Sequence, residues 1–269
     1  MLGSTGPVTR RLIGALFVVA VACVDQAEKP PPPTCSGRCA GPRPGSVGHV
    51  PPGGSAGAGG ESGTDEPVRL VGDVSLLVNI PALEATDFVE QVDILVEGQD
   101  GDVRGSWNAL DPFSIDGVAQ GAGVWAEATP LAGDALRTVQ PIDTSDPNAS
   151  GVVETELLVV SASEIDLALG AISVPLTPNP ARAQAVLVAH RNGRPVAGVR
   201  VTAPGAEAVI YLDNGAYTDT EMATDFSGVF VLANVPPSGT YTVTLSGAVN
   251  ASADLRLVSG GVTLGIVGN

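Results

Sequence analysis

Residues 224–244 read TDFSGVFVLANVPPSGTYTVT, and this stretch decides the fold. Its TDFSG segment is typical of a tight turn. Phe230 and Leu232 then alternate with other residues, which is the period of a strand with one buried face. The PPSG segment forces the chain to reverse, and a second alternating run follows at Tyr241 and Val243. The stretch therefore predicts turn, strand, turn and strand, a building unit of all-β folds.

Similar alternation and turn signals continue on both sides of this stretch. Asn-Gly pairs at 192–193 and 214–215 are typical of hairpins, and a long apolar run at 151–160 predicts a strand. We expect an all-β chain with two tandem Ig-like or prealbumin-like β-sandwiches, an acidic one at 68–176 and a second at 183–269. No stretch combines a sustained helical period with caps.

The end of the first segment, at residues 165–174, is also interpreted as a strand. Ile165, Leu167 and Leu169 are apolar at every second position and lead into Ile172 and Val174. This spacing predicts a strand.

Four landmarks occur in the same order in both segments, which predicts an internal duplication. They are Val89-x-x-Val92-x-Ile94 with Val196-x-x-Val199-x-Val201, Phe113-x-Ile115-x-Gly117-Val118 with Phe230-x-Leu232-x-Asn234-Val235, Gly123-x-Trp125 with Gly239-x-Tyr241, and Leu169-Gly170-Ala171 with Leu264-Gly265-Ile266. The pairing places Trp125 and Tyr241 at equivalent positions. In a two-sheet fold, each is most simply a large core ring whose polar atom is hydrogen-bonded.

The second copy carries GRPVAGVRV at 193–201, TDFSGVF at 224–230, NVP at 234–236 and GTYTV at 239–243. In these motifs it resembles the carboxypeptidase regulatory-like domain, a prealbumin-like β-sandwich. The resemblance covers roughly the last third of the chain. That family consists mostly of non-catalytic modules attached to secreted and envelope proteins. The resemblance therefore implies a structural or binding role, with no particular ligand and no cofactor.

Residues 1–22 have the anatomy of a signal peptide. Arg10 and Arg11 precede an apolar run at 12–22 that is shorter than the ~20 residues a bilayer span needs. Ala20-Val21-Ala22-Cys23 resembles the lipobox of bacterial lipoproteins, which implies that Cys23 receives a lipid and becomes the mature N-terminus. The alternative is an ordinary secretory signal followed by an incidental cysteine.

Residues 23–67 form a predicted disordered linker. A run of four prolines at 30–33 favours a stiff extended segment, and the Gly-rich run at 53–60 favours flexible coil. Cys35 and Cys39 are candidates for a small disulfide in an oxidising compartment. Two free thiols or a redox pair is the alternative, although Arg38 alone offers little to lower a thiol pKa. A metal site here would need more ligands, and His49 is the only nearby candidate.

The formal net charge of −16 lies almost entirely in one segment. Residues 68–175 contain eighteen Asp and Glu and three Arg, whereas 176–269 contain six acids and five Arg. Such a surface repels nucleic acid, so we expect no nucleic-acid partner. An acidic face that keeps the protein soluble is the simplest explanation, and a face that attracts cations or basic partners is the alternative.

Residues for catalysis are scarce. The two histidines, His49 and His190, lie in the linker and at a predicted strand end, and neither has a nucleophile motif beside it. We therefore expect no enzyme activity and no metal site. Oxygen ligands of the kind calcium prefers occur at 143–148 and around 213–219, but these residues are also ordinary turn formers. Trp107, beside Gly105 and Ser106, is expected to be exposed and is the one candidate for ligand contact.

The sequence as a whole predicts a lipid-anchored cell-envelope protein with a structural or binding role. Its membrane contact would be the lipid on Cys23, and Val24 after that cysteine permits sorting to the outer membrane or cell surface. A protein or glycan partner is expected but not identified. Two alternatives stay open: a secreted adhesin or carbohydrate-binding module, and an accessory domain protein of an envelope hydrolase.

Overall fold

Strands dominate the structure, a computed structural model that describes residues 48–50, 66–86, 89, 91–108 and 111–268. The described part forms eighteen strands and one helix. This confirms the all-β sandwich class. All of these residues belong to one compact unit.

Several predictions fall outside the described residues. They are the signal peptide at 1–22, the lipidation of Cys23, the pairing of Cys35 with Cys39, and most of the linker. Within the described ranges, no helix is both long and apolar enough to cross a membrane.

The first half is organised around β1 (Val68–Asn79), which pairs with three other strands. β9 (Val152–Ser161) lies parallel to it along one edge. β2 (Glu84–Thr86) and β5 (Phe113–Val118) lie antiparallel along the other edge. β7 (Ala135–Leu136) pairs with the far side of β9.

Four further strands, β3 (Gln91–Val96), β4 (Val103–Asn108), β6 (Ala122–Pro130) and β8 (Thr138–Asp143), form a second sheet in the order β4-β3-β6-β8. Alternate residues of these strands point toward β1 and β5, as the period of a strand requires. The apolar cluster so formed is called the first core, and its large members include Leu70, Ile94, Trp107, Phe113, Ile115 and Leu157.

The second half repeats this arrangement around β10 (Ala183–Arg191). β10 lies parallel to β18 (Val262–Gly268) and antiparallel to β15 (Val229–Val235). β13 (Ala208–Asp213) and β14 (Ala216–Thr218) extend the sheet beyond β15.

The facing sheet of the second half has three strands, β12 (Val199–Thr202), β16 (Ser238–Gly247) and β17 (Ala251–Leu257). A two-residue strand, β11 (Arg194–Pro195), folds back on the end of β10. The apolar cluster between the two sheets is called the second core, and it includes Leu187, Phe230, Leu232, Val243 and Leu255.

The two halves share a strand-pairing plan, and this plan includes the same irregularity in both. In each half the first strand pairs parallel with the last and antiparallel with the strand of the Phe landmark. β5 and β15 each break register near their ends, at Gly117 with φ 82° and at Asn234 with φ 48°. Glycine and asparagine are the residues that tolerate this left-handed backbone. Three of the four landmarks therefore fall on equivalent strands.

The fourth landmark was paired wrongly. Leu264-Gly265-Ile266 lies in β18, whereas Leu169-Gly170-Ala171 lies at the end of a helix, α1 (Ala162–Gly170). The strand equivalent to β18 is β9, because each is the parallel partner of the first strand in its half.

The strand predicted at 165–169 is also wrong, since α1 occupies it. Ile165, Ala168 and Leu169 are its buried residues, and their spacing of three and four is helical. Ser161 at the N-cap makes no side-chain capping bond to the helix. Instead the carboxylate of Asp134 accepts the Ser163 N–H at 3.3 Å and the Ser161 hydroxyl at 2.9 Å. These bonds lower the pKa of Asp134.

The halves are joined through β8, a strand that shows no apolar alternation. Its Thr138 and Val139 pair in parallel with Val262 and Thr263 of β18, so one sheet of ten strands runs through both halves. Its other edge pairs with β6, and two of its side chains also hydrogen-bond to the backbone of β9. Gln140 accepts the Leu158 N–H at 3.0 Å, and the Thr138 hydroxyl accepts the Val160 N–H at 3.1 Å.

A third apolar cluster, called the junction core, lies between the outer faces of β1 and β9, helix α1, and the outer face of the β10 sheet. It combines Leu77, Ile80, Leu158, Ile165 and Leu169 from the first half with Val186, Ile210, Leu212, Val231 and Leu264 from the second. The boundaries predicted for the two sandwiches stay a prediction. The structure adds that the two segments share a sheet and a core.

Part of the predicted linker is tied to this unit. The backbone of residues 48–50 pairs with β18, where the Val50 N–H donates to the Ile266 carbonyl at 2.7 Å and the Ile266 N–H donates to the Gly48 carbonyl at 2.9 Å. Val50 is 4% exposed and packs in the second core. The segment assigned to the linker therefore contains one residue, Val50, that is buried in the second core.

Candidate functional site

The best-defined concave site lies at one end of the second sandwich. A cavity of about 520 Å³ opens between the end of β10, the end of β18 and the loop that joins β16 to β17. We call it the arginine cavity, and it is lined by Val50, Arg191, Ala248, Val249, Asn250, Ala251, Ser252, Ala253 and Gly268. It therefore combines an apolar wall with one guanidinium, one amide and one hydroxyl.

The hairpin from Arg191 to Arg194 places two guanidinium groups at this end. Asn192 and Gly193, with φ 54° and 71°, are both left-handed, which is the geometry of a type I′ turn. Arg191 and Arg194 are directly opposite each other across the turn, and both are exposed. Like charges in that arrangement repel and are destabilising, so an anion placed between them would be stabilising.

Half of the arginines in the described ranges are neutralised by ion pairs. Four of the eight form ion pairs: Arg69 with Asp116 at 2.5 Å, Arg137 with Glu127 at 2.7 Å, Arg182 with Glu207 at 3.8 Å, and Arg256 with Glu97 at 3.0 Å. Arg191 and Arg194 form no ion pair with any described residue. Because guanidinium forks match carboxylate and phosphate groups, these two side chains are suited to an anionic ligand.

A second concave site, of about 640 Å³, lies at the junction of the halves, between helix α1, the turn at 81–82 and the hairpin of β13 and β14. Glu164 on its wall accepts the Ile80 N–H at 3.1 Å and the Tyr217 hydroxyl at 3.4 Å. Burial, and then the nearby Glu164, raises the pKa of Tyr217, so Tyr217 stays a neutral donor. Both groups are therefore engaged in holding the halves together.

The loops weighed as calcium sites are used as turns. Asp143 accepts the Ser145 N–H at 2.9 Å, and Asn148 accepts the Ser150 N–H at 2.9 Å. Asp219 is held by Ser173, whose N–H and hydroxyl donate to its two oxygens at 3.0 and 2.6 Å. Across the described ranges, no three His, Cys, Asp or Glu side chains come together as a metal cluster.

Trp107 is buried, so the expectation that it is exposed is wrong. It is 6% exposed in the first core, on the same side of β4 as Val103 and Gly105. Its indole nitrogen has no hydrogen-bond partner among the described residues. A ring in this position is not presented to a ligand in solvent.

Trp125 was expected in the core of the first sandwich, and the structure places it elsewhere. Val124 and Ala126 on either side of it face the first core, so Trp125 points outward and packs, half-buried, against the second core. Its counterpart Tyr241 also packs against the second core, and its hydroxyl donates to the Pro204 carbonyl at 2.9 Å. Both rings are therefore packing residues, and Trp125 joins the two halves.

The sequence interpretation identified the Asn192-Gly193 turn but missed the arginine pair. The signal was present, because a two-residue hairpin always sets the residues before and after the turn opposite each other. It also missed the meeting of His49 with His190, whose ring centroids are 6.0 Å apart. The bridge of residues 48–50 to β18 produces that contact, and nothing in the linker sequence indicates the bridge.

Comparison with known proteins identifies no family. No protein-family profile matches the chain, and no curated protein matches it. Among solved structures, the Bacillus anthracis TIE protein matches with 11% identity and a TM-score of 0.26, over 76% of this chain and 34% of its own. The "putative cell adhesion protein" of Bacteroides eggerthii DSM 20697 matches with 9% identity and a TM-score of 0.22, over 73% of this chain and 80% of its own. The chain spans about a third of the TIE protein, and no function is transferred from either structure.

Proposed function

We propose that this chain is a lipid-anchored cell-envelope protein that binds an acidic sugar chain at the arginine cavity and performs no chemistry on it. The observation that carries the binding role is the unneutralised pair of Arg191 and Arg194 beside a cavity, in a chain whose net charge is −16. Acidic partners abound in this protein, yet none of the described ones reaches these two guanidinium groups. A pair left free in such a chain is best explained by an anion supplied from outside.

The other wall groups favour a sugar as the bearer of that anion. The Asn250 amide and the Ser252 hydroxyl line the same cavity, and such groups hydrogen-bond to hydroxyls. Val249 and Ala248 supply an apolar wall for the face of a sugar ring. The resemblance of the second half to the carboxypeptidase regulatory-like domain fits a binding module of this kind.

The anchoring role rests on the sequence Ala20-Val21-Ala22-Cys23 and the Pro- and Gly-rich linker behind it. A lipid at Cys23 would hold the folded unit at the membrane, and the linker would set its distance from the surface. We propose the outer membrane or cell surface as the location.

Lipidation is tested by labelling cells with radioactive palmitate. The chain with Cys23 should incorporate label and sediment with membranes, whereas Cys23→Ala should incorporate none, because lipid transfer needs the thiol. Globomycin should cause the unprocessed form of the Cys23 chain to accumulate. An unlabelled chain recovered from the medium would contradict the anchor and favour a secreted adhesin.

Binding at the arginine cavity is tested with oligogalacturonate, a carboxylated sugar chain, on the full chain in detergent. Arg191→Ala should weaken binding by about 10–100-fold, since hydrogen bonds to charged groups contribute about 1.5–3 kcal/mol. The measurement is a calorimetric titration at physiological salt. A neutral oligosaccharide of the same length should not bind.

The matched control is Arg104→Ala, which removes another exposed arginine without an ion pair among the described residues, but from β4 in the first half. Its affinity should stay close to that of the parent. Equal losses in the two variants would show that net charge rather than the cavity governs binding, and would contradict the site. Inorganic phosphate is the second probe: binding of phosphate but not of oligogalacturonate would reject the sugar and keep the anion.

A further inference from the structure

The two histidines of the chain meet although they are far apart in the sequence. The ring centroids of His49 and His190 lie 6.0 Å apart, with their planes at 81°. His49 belongs to the segment bridged to β18, and His190 lies near the end of β10.

Both rings lie on the same face of the sheet. Val50 points into the second core, so its neighbour His49 in this extended segment points to the opposite face. In β10, Ala189 faces the second core and Val188 the junction core, which gives His190 the face of Val188. The meeting of the rings thus follows from backbone pairing and strand alternation, not from chance rotamers.

His190 carries a buried polar atom that no described residue contacts through a hydrogen bond. Its Nδ1 is buried and has no hydrogen-bond partner among the described residues. A neutral imidazole with an unpartnered ring nitrogen is a common ligand of metal ions.

We propose that His49 and His190 form a two-imidazole site for a borderline divalent cation, Cu²⁺, Ni²⁺ or Zn²⁺. Imidazole nitrogen suits these ions, whereas Mg²⁺ and Ca²⁺ prefer oxygen ligands. Two imidazoles bound to one tetrahedral ion at about 2.0–2.1 Å hold their centroids about 5 Å apart. The observed 6.0 Å is within about 1 Å of that separation. His49 is exposed, so its ring has room to make that approach.

The guanidinium groups of the hairpin do not oppose a cation here. Arg191 follows His190 in β10 and therefore points to the other face, where it lines the arginine cavity. The net charge of −16 attracts cations to the protein as a whole. The metal site is thus separate from the arginine cavity and independent of the proposed binding function.

A bound ion would fasten the linker to the folded unit. Among described residues, two backbone bonds and the burial of Val50 hold residues 48–50 to β18. A metal bridge from His49 to His190 adds a cross-link from this segment to β10. It would fix the point at which the linker leaves the folded unit.

The test is a Cu²⁺ titration of the untagged full chain in detergent, with Mg²⁺ in excess to occupy surface carboxylates. Cys35→Ser and Cys39→Ser are present in every sample, so that thiols cannot bind the ion. The parent should bind one Cu²⁺ per chain, and its electron paramagnetic resonance spectrum should show two coordinating nitrogens from imidazole. Cu²⁺ should also raise the Tm of the parent.

His49→Ala should weaken Cu²⁺ binding by at least about ten-fold and abolish the rise in Tm. His49 is exposed, so this variant should have the Tm of the metal-free parent. His190→Ala is the second variant and should lose the same nitrogen signal. Unchanged affinity in His49→Ala, or a parent spectrum without imidazole nitrogen, would overturn the proposal.

Discussion

Phe230→Ala will lower the free energy of unfolding by about 3–5 kcal/mol. Phe230 is fully buried at the centre of the second core, where β15 faces β16 across the sandwich. Truncation removes the ring contacts and leaves a cavity that the paired strands cannot close. Urea denaturation followed by far-UV circular dichroism measures the loss.

Phe226→Ala is the matched control, because it makes the same chemical change four residues earlier. Phe226 is 74% exposed in the turn that precedes β15. Its truncation should change the free energy of unfolding by no more than about 0.5 kcal/mol. Equal effects of the two substitutions would mean that Phe230 does not lie in the core described here.

Ile210→Ala should destabilise both halves together, by about 2–5 kcal/mol. Ile210 belongs to the second half and is fully buried in the junction core. In a Trp125→Phe background the remaining tryptophan, Trp107, lies in the first core, so its fluorescence reports on the half that was not changed. Because the halves share a sheet and a core, the fluorescence transition should shift to lower urea by as much as the circular dichroism transition.

The control for this experiment is internal to each sample. In the parent, the two probes should give one coincident transition, as two-state unfolding requires. A circular dichroism transition that shifts while the tryptophan transition stays in place would show that the halves unfold independently. The junction core would then not couple them.

The strands of the second half could be predicted from the sequence for two reasons. Burial alternates along β16 and β17, whereas β10, β15 and β18 are buried on both faces and appear as short apolar runs. The turn at 225–228, the strand at Phe230 and the hairpins at Asn-Gly pairs all have short-range signals, and the structure contains them. The shared pairing plan was also visible, because the bulges of β5 and β15 have a glycine and an asparagine at equivalent places.

The helix could not be predicted from local signals. The first turn of the helix donates a hydrogen bond to Asp134, which lies before β8 and is remote from the helix in the sequence. The apolar residues 165, 167 and 169 also have the alternation of a strand. Only the packing of Ala168 against the junction core decides between the two periods. The choice between helix and strand is therefore made by tertiary packing and not by the local sequence.

The same is true of β8. Thr138 and Gln140 are polar yet 1% and 2% exposed, because their side chains hydrogen-bond to the backbone of β9. A sequence interpretation assigns such residues to the surface. Trp107 differs, since its alternation with Val103 and Gly105 already indicated an inward position, and the neighbouring glycine and serine were given too much weight.

The candidate sites were only partly predictable. The positions of Arg191 and Arg194 follow from the two-residue turn between them. The contact of His49 with His190 depends on a linker segment joining a sheet edge, and composition argued against that. Long-range pairing of a Pro- and Gly-rich segment has no local signature.

The bridge of residues 48–50 to β18 determines how the protein would carry mechanical load. The segment and the strand are parallel, so opposing pulls on Gly48 and on Gly268 act along the strands rather than across them. β10 lies parallel to β18 over seven residue pairs, from Gln184 with Val262 to His190 with Gly268. Such tension loads the two hydrogen bonds between residues 48–50 and β18 in shear and at the same time, instead of opening them one after another. A segment held in this way resists a pull along the strands more than a pull that peels it from the sheet.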